Sequence, residues 1–356
     1  MKNNHKIIVP LVSILLGLLL GVFALILTGY DVSALFNSFV NGLTGIDLYS
    51  SNPKINVRYI GELLTSSMPI IMTGLSVGFA YRTGLFNIGC EGQVIFGSLV
   101  CVSVAILVPM PNVIGQLVCI LAGAIAGALW AFIPGILKVK FNVSEVVTGI
   151  MLNYTALYSA NYFLRNLPGS DVQKTADIPA NTFLRGDFLA ELTNNSRFHF
   201  GFIVVILCAV LFWFIIEKTA FGYSLRATGL NSEGARFAGI KVHRSIVTSM
   251  MISGALAGIA GSIIVQGTFG YGRIITYMDN YGFDGIAVAL VGGANAIGIV
   301  LSGLLFALLN VTQPLLQVNG VPKDIGEIIA SSIVFFVAIQ YIIKYFLNKF
   351  SKKEVI

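Results

Sequence analysis

The sequence predicts an all-α integral membrane bundle of about ten spans, with both termini on the cytoplasmic side. Three observations predict it. Of the 356 residues, 56% are hydrophobic and only 11% charged, against about 25% charged in ordinary soluble domains, so lipid has to be the solvent for most of the apolar surface. The apolar residues fall in long runs, many of about 20 residues, the length that crosses a hydrocarbon core. The 22 Lys and Arg residues are distributed unevenly between the segments that join those runs.

The runs lie at 7–27, 60–80, 88–108, 112–137, 143–164, 200–216, 245–266, 282–296, 297–315 and 326–346. Lys2, His5 and Lys6 precede the first. It is longer than the about 7–15 residues of a secretory signal core and no A-x-A site follows, so it reads as an uncleaved first span. The runs 282–296 and 297–315 are close together and rich in Gly. They are either two full spans or a pair of half-depth helices. An even number of spans puts both termini on one side, and fourteen of the 22 basic residues then fall on that side. The positive-inside rule makes it the cytoplasm. Asp171, Asp177, Asp187 and Glu191 gather on the outer side.

This organisation is one membrane domain over residues 1–356. It has an extracytoplasmic loop at 165–199, either a solvated connector or a landing surface, and a polar cytoplasmic loop at 217–244. The net charge of +6 is scattered between apolar runs and forms no patch suited to nucleic acid. In the inner loop, Asn231 or Ser232 can cap a short helix over 232–238, with Glu233 in its first turn and Gly239 closing it. Such a helix is either a docking element for a soluble partner or a headgroup helix with Arg236 and Lys241 on anionic lipid.

Reactive chemistry is sparse. Cys90, Cys101, Cys119 and Cys208 all lie in apolar runs and form no CxxC pair, which reads as buried small hydrophobes. There is no G-x-x-x-x-G-K-[ST] loop and no HExxH, so the chain carries neither a P-loop nor that zinc motif. No catalytic residue and no metal ligand set is expected. Ionisable side chains at bilayer depth cost about 2.5–3.5 kcal/mol each, so they face a bundle interior or a wet cavity. Glu62, Glu91 and Glu145 stand out, with Glu91 and Glu145 placed near the inner ends of their spans. They either snorkel, bond neighbouring helices or line a path. Asn87, Gly89, Gly92 and Gln93 surround Glu91, while Thr148 and Asn153 follow Glu145. Asn87 and Glu91 share a helix face if the helix already starts there. Gly123, Gly127, Gly254, Gly258 and Gly261 signal close helix packing.

Three ordered runs carry a resemblance. GLSVGFAYRTGLFNIGCEGQ (74–93), RATGLNSEGARFAGI (226–240) and GFDGIAVALVGGANAIGIVLSGLLF (282–306) resemble membrane permeases of the ABC import family for ribose-type sugars, branched-chain amino acids and nucleosides. EVVTGIMLNYTALY (145–158), GFDGIAVALVGG (282–293) and the long outer loop look most like the larger nucleoside-type permease subunit. The resemblance implies a type II-like ABC importer permease bundle, multi-pass in a bacterial inner or plasma membrane, that is not itself an enzyme. It implies a second, non-identical permease, a cytoplasmic ABC ATPase and an extracytoplasmic binding protein or lipoprotein. No cofactor is expected in this chain, since ATP would be bound by the ATPase. That ATPase would dock around Gly229, Asn231, Glu233, Ala235, Arg236 and Gly239. Asn87, Glu91, Gln93, Glu145, Asn153, Phe283 and Asn295 are candidates for lining a nucleoside path, or else for bonding helix to helix. Ribose or another simple sugar is the alternative cargo. An ion-coupled secondary transporter is the competing class.

Overall fold

The computed structural model describes residues 5–339 and residue 342. The end of the last predicted span lies outside the described residues, as do Lys2, Lys344, Lys349, Lys352 and Lys353. Among the described residues the bundle is all-α apart from one small two-stranded sheet. Among the described residues, seven helices are long and apolar enough to cross a membrane.

The centre is built where side chains are smallest. Helices α3 (Val57–Arg82), α4 (Cys90–Leu107), α5 (Ile114–Phe141) and α11 (Val242–Ile263) form it. A Cβ on Gly127 would run into the Gly254 carbonyl, and one on Gly258 into the Gly123 carbonyl. Gly97 of α4 meets the Gly258 backbone in the same way. Lipid tails are as apolar as leucine, so close backbone approach rather than oil-drop burial is what draws such helices together. The four cysteines are free and buried, as expected.

Around this core lie α1 (His5–Thr28), α6 (Glu145–Arg165), α8 (Gly201–Lys218), α13 (Ala296–Val318) and α14 (Asp324–Ala338). The Gly-rich pair resolves into neither expected alternative. Helix α12 (Tyr281–Val291) has 11 residues, about 16 Å at 1.5 Å per residue, which is half a crossing. Helix α13 has 23 residues and crosses fully. Gly293 and Ala294 take positive φ between them, and Asn295 Oδ1 then caps α13 by accepting from Ile297 N–H at 3.1 Å.

The outer segment at 28–59 contains a helix that the sequence does not announce, α2 (Val32–Thr44). At 13 residues it is too short to span, and its buried face includes Asn37, Ser38 and Asn41, which hides the apolar periodicity. Asp31 caps it, accepting from Ser33 N–H at 2.8 Å. The outer loop carries local structure of its own. It holds strand β1 (Lys174–Asp177), a 3-10 turn at Ala180–Thr182 and helix α7 (Asp187–Leu192). Strand β1 pairs antiparallel with β2 (Tyr271–Arg273). Gln266, in the π-helical turn Ile264–Phe269 beyond α11, donates to the Thr182 carbonyl at 2.8 Å. Glu62 receives Arg197 N–H and guanidinium at 2.7–3.0 Å, fixing the loop to the outer end of α3.

On the inner side, α9 (Ala220–Leu230) and α10 (Ser232–Phe237) follow α8. The second matches the predicted short helix and is capped by Asn231 Oδ1, which accepts from Gly234 N–H at 3.0 Å. The first was unforeseen. Glu217 bridges Arg82 at 2.5 Å and Arg226 at 2.9 Å, so the inner ends of α3, α8 and α9 are tied together.

Candidate functional site

Between α3 and α4 the chain leaves helical geometry. Gly84 takes φ 75° directly against Gly229 of α9, where a Cβ on either residue would clash with the other's backbone. That contact marks the inner face. From there the chain climbs in an open turn, and α4 begins only at Cys90. Asn87 Nδ2 donates to Ser253 Oγ at 2.7 Å. Ser253 lies eleven residues up α11 from Val242, about 16 Å from the inner end. The turn is therefore at mid-depth. This revises two expectations: Glu91 is not near the inner interface, and Asn87 precedes the helix, so it shares no helical face with Glu91. The cause is local, because Gly84, Asn87 and Gly89 favour a turn over helix.

An irregular backbone inside a bilayer must satisfy its polar groups internally. Asn87 and Gln93 exchange amide hydrogen bonds at 2.8 and 3.0 Å. Asn153 of α6 clamps the turn from the side: its Oδ1 accepts from Gly92 N–H at 2.8 Å, and its Nδ2 donates to the Ile88 carbonyl at 3.0 Å. Glu91, 1% exposed, points the other way and accepts from Asn280 N–H at 3.1 Å and from Gly282 N–H. It caps the half-helix α12, whose first amides have no intrahelical partners and whose dipole favours a negative charge there. A Cβ on Gly282 would overlap the Glu91 backbone, so α12 starts directly against α4.

Above Glu91 a narrow cleft opens toward the outer side, with a mostly apolar lining that includes Val94, Ile95, Leu164 and Ile264. Asn161, Tyr271, Arg273, Asp279 and Tyr281 line it together with Glu91. Arg273 forms a two-pronged ion pair with Asp279 and stacks over Phe269 at 4.1 Å. Asn161 holds both backbone polar groups of Ile275, two residues beyond β2, at Ile275 O (2.7 Å) and Ile275 N–H (3.2 Å).

The remaining predicted residues lie elsewhere. Glu145 begins α6 at the inner end and pairs with Lys138 at 2.6 Å, away from the cleft. Asn295 is an exposed cap at the inner α12–α13 turn. Phe283 is 41% exposed on α12. Next to it the sequence reasoning missed Asp284, which receives Asn310 Nδ2 of α13 at 3.3 Å. The signal was available as an acidic residue in the first turn of a predicted span. One further pattern, Gly74-Leu75-Ser76-Val77-Gly78, has the spacing of a hydrolase nucleophile elbow. It lies within α3, and Ser76 Oγ is buried 3.0 Å from Ser253 Oγ, with no strand before it to form an elbow.

At the inner face the coupling candidates form one elbow. Gly229 packs on the Thr83–Gly84 backbone, Asn231 caps α10 and Ala235 is buried beneath it. Glu233 and Arg236 form an exposed pair at 3.6 Å, and Gly239 closes the helix with φ 81°. Two large apolar side chains stand clear of the fold, Leu230 at 89% and Phe237 at 91% exposure.

A multi-pass bundle with a half-helix held at mid-depth and an apolar elbow facing the cytoplasm is the build of a membrane permease. Residues 59–347 match the family described as the permease component of branched-chain amino acid transport systems, and the chain belongs to that family. It is 40% identical over 353 residues to the guanosine ABC transporter permease NupP of Bacillus subtilis, covering 99% of each chain. It is 34% identical to the nucleoside ABC transporter permease NupB of Lactococcus lactis, covering 98% of this chain and 95% of that one. It is 32% identical to a glucose ABC transporter permease, TsgB13 of Haloferax volcanii, covering 92% and 86%. No solved structure matches.

Proposed function

We propose that this permease is one of two non-identical membrane subunits of an ATP-driven importer of nucleosides. The observation that carries the cargo is the likeness over nearly its whole length to permeases named for guanosine and nucleosides. Both of those bacteria have a companion permease, NupQ and NupC, that is also similar to this chain, which supports a pair of unlike subunits. The glucose relative keeps a simple sugar as the second reading.

ATP would be bound by a separate ATPase seated on the α9–α10 elbow, and this chain would hold no cofactor. Exposed Leu230 and Phe237 suit a hydrophobic socket on that partner, since large apolar side chains left in water mark contact surfaces. A binding protein or lipoprotein would deliver solute to the folded outer loop. Closure of the ATPase would push the elbow against Gly84. The turn at 85–93 would carry that displacement to Glu91 and so to the start of α12. The ATPase works by favouring one of two states of the path, and a broken helix at mid-depth is where transporters commonly place their sites. A secondary transporter needs a free ion-coupling carboxylate near mid-depth, and both oxygens of Glu91 are engaged by backbone N–H groups. That occupancy favours the ATP-driven reading.

The test is uptake of radiolabelled guanosine, uridine, ribose and glucose in cells with the gene deleted and then restored. Loss and recovery of nucleoside uptake alone supports the proposal. Loss of sugar uptake alone keeps the permease and discards the cargo. Uptake that persists when the partner ATPase is disabled, but collapses without a proton gradient, would sink the ATP-driven reading.

A further inference from the structure

Helix α12 has two sides with different chemistry. One side, through Gly282 and Gly285, is pressed against Glu91 of α4 and Thr73 of α3. The other carries Phe283, which is 41% exposed among the described residues, and Asp284. Asn310, the partner of Asp284, lies eight residues below the outer end of α13 at Val318, about 12 Å into the bilayer. An aspartate side chain is too short to snorkel that far, unlike lysine or arginine. No Lys or Arg among the described residues forms an ion pair with Asp284 or with Glu327 of α14. Asn310 donates once to Oδ2, leaving Oδ1 and the second lone pair of Oδ2 able to accept. A carboxylate at that depth, without a cation, faces either the interior of the assembled bundle or a wet cavity.

We propose that Asp284 reads the sugar of the transported nucleoside, accepting hydrogen bonds from its 2′- and 3′-hydroxyls, while Phe283 offers its ring to the base. A cis-diol presents two donors side by side, and a carboxylate presents two acceptors at matching separation. Asn310 is the positioning residue that holds the carboxylate toward the path. The inference rests on the nucleoside reading above and names the residue that performs the recognition.

The whole transporter, expressed in cells lacking their own nucleoside uptake, is assayed for initial rates with guanosine and with 2′,3′-dideoxyguanosine. The wild type favours guanosine in kcat/KM. Asp284→Asn reduces that preference about tenfold, the worth of one charge-assisted hydrogen bond, by raising KM for guanosine and leaving dideoxyguanosine nearly unchanged. Asp284→Glu retains most of the preference. If Asp284→Asn does not accumulate in the membrane, Asn310→Leu, which keeps the carboxylate but frees it, must lower the same ratio. Equal loss for both substrates, or an unchanged ratio, overturns the assignment while the nucleoside reading stands. A wild type that transports neither compound overturns both.

Discussion

The chain breaks its helices at two polar turns that handle their loose ends in opposite ways. At mid-depth, residues 85–93 leave nothing exposed. Asn87 and Gln93 answer each other, Asn153 answers Gly92 and Ile88, and Glu91 answers the first amides of α12. At the inner face, the α9–α10 elbow satisfies its backbone through Asn231 but leaves Leu230 and Phe237 in water. The difference follows from solvent. Lipid supplies no hydrogen bonds, so a break there is completed by the protein itself. Water forgives polar ends but penalises apolar surface, so the side chains that stay exposed there are the ones proposed above to meet a partner. Most polar residues of the inner-membrane turn therefore hold the fold, and exposure rather than polarity identifies the working surface.

Four experiments press on that contrast. The largest effect is expected from Glu91→Ala, which strands two buried amides at about 1–3 kcal/mol each. Thermal melting in detergent should drop by several degrees, with Glu91→Gln falling between the variant and wild type. A wild-type melt for Glu91→Ala would mean that α12 is held by something else. Asn153→Leu comes next, at about 1–3 kcal/mol, with proteolysis near Gly92 accelerated. Unchanged digestion would remove Asn153 from its role as a clamp.

The outer face gives a third, pH-dependent case. Burial, and then the Arg185 charge, push His199 down to about 3. Its Nδ1 accepts from Gly201 N–H at 3.1 Å, which fits a neutral ring. Because the folded value lies below the unfolded one of about 6.5, the stability it contributes is complete above pH 6.5. It is lost progressively as pH falls toward 3. At pH 5 the loss is at most about 2 kcal/mol, at about 1.4 kcal/mol per unit. His199→Gln should flatten the melting temperature between pH 7 and 5; an unaltered slope would assign the dependence to other groups. The smallest effect on stability belongs to Phe237→Ser, within about 0.5 kcal/mol. The same change should nonetheless weaken co-purification of the ATPase and slow uptake. Full uptake in that variant would detach the elbow from coupling.

The architecture was legible because long apolar runs and the bias of Lys and Arg are summed over many residues, and both report the same solvent. The cap at Asn231 was legible because it is local chemistry. Three things were not. Helix α2 buries Asn37, Ser38 and Asn41, so its inward face looks like a loop. The depth of Glu91 depends on where α4 starts, and that is decided by partners far away in sequence, Ser253 and Gly282. Asp284 read as part of an ordinary span because the half-length of α12 is set by the turn at Gly293 and Ala294. Depth in a membrane is a property of the assembled bundle, and a single run does not encode it.

The brevity of α12 also bears on how the protein is made. An 11-residue segment with a carboxylate near its start is a poor client for release into lipid on its own. Its first amides need the Glu91 side chain, synthesised about 190 residues earlier in the chain. The segment therefore has to enter as a hairpin with α13 and find α4 already in place. Biogenesis acquires an order that the linear alternation of spans does not suggest: the first half of the bundle serves as a template, and ribosome pausing or truncation before Ala296 would leave α12 stranded at the membrane surface.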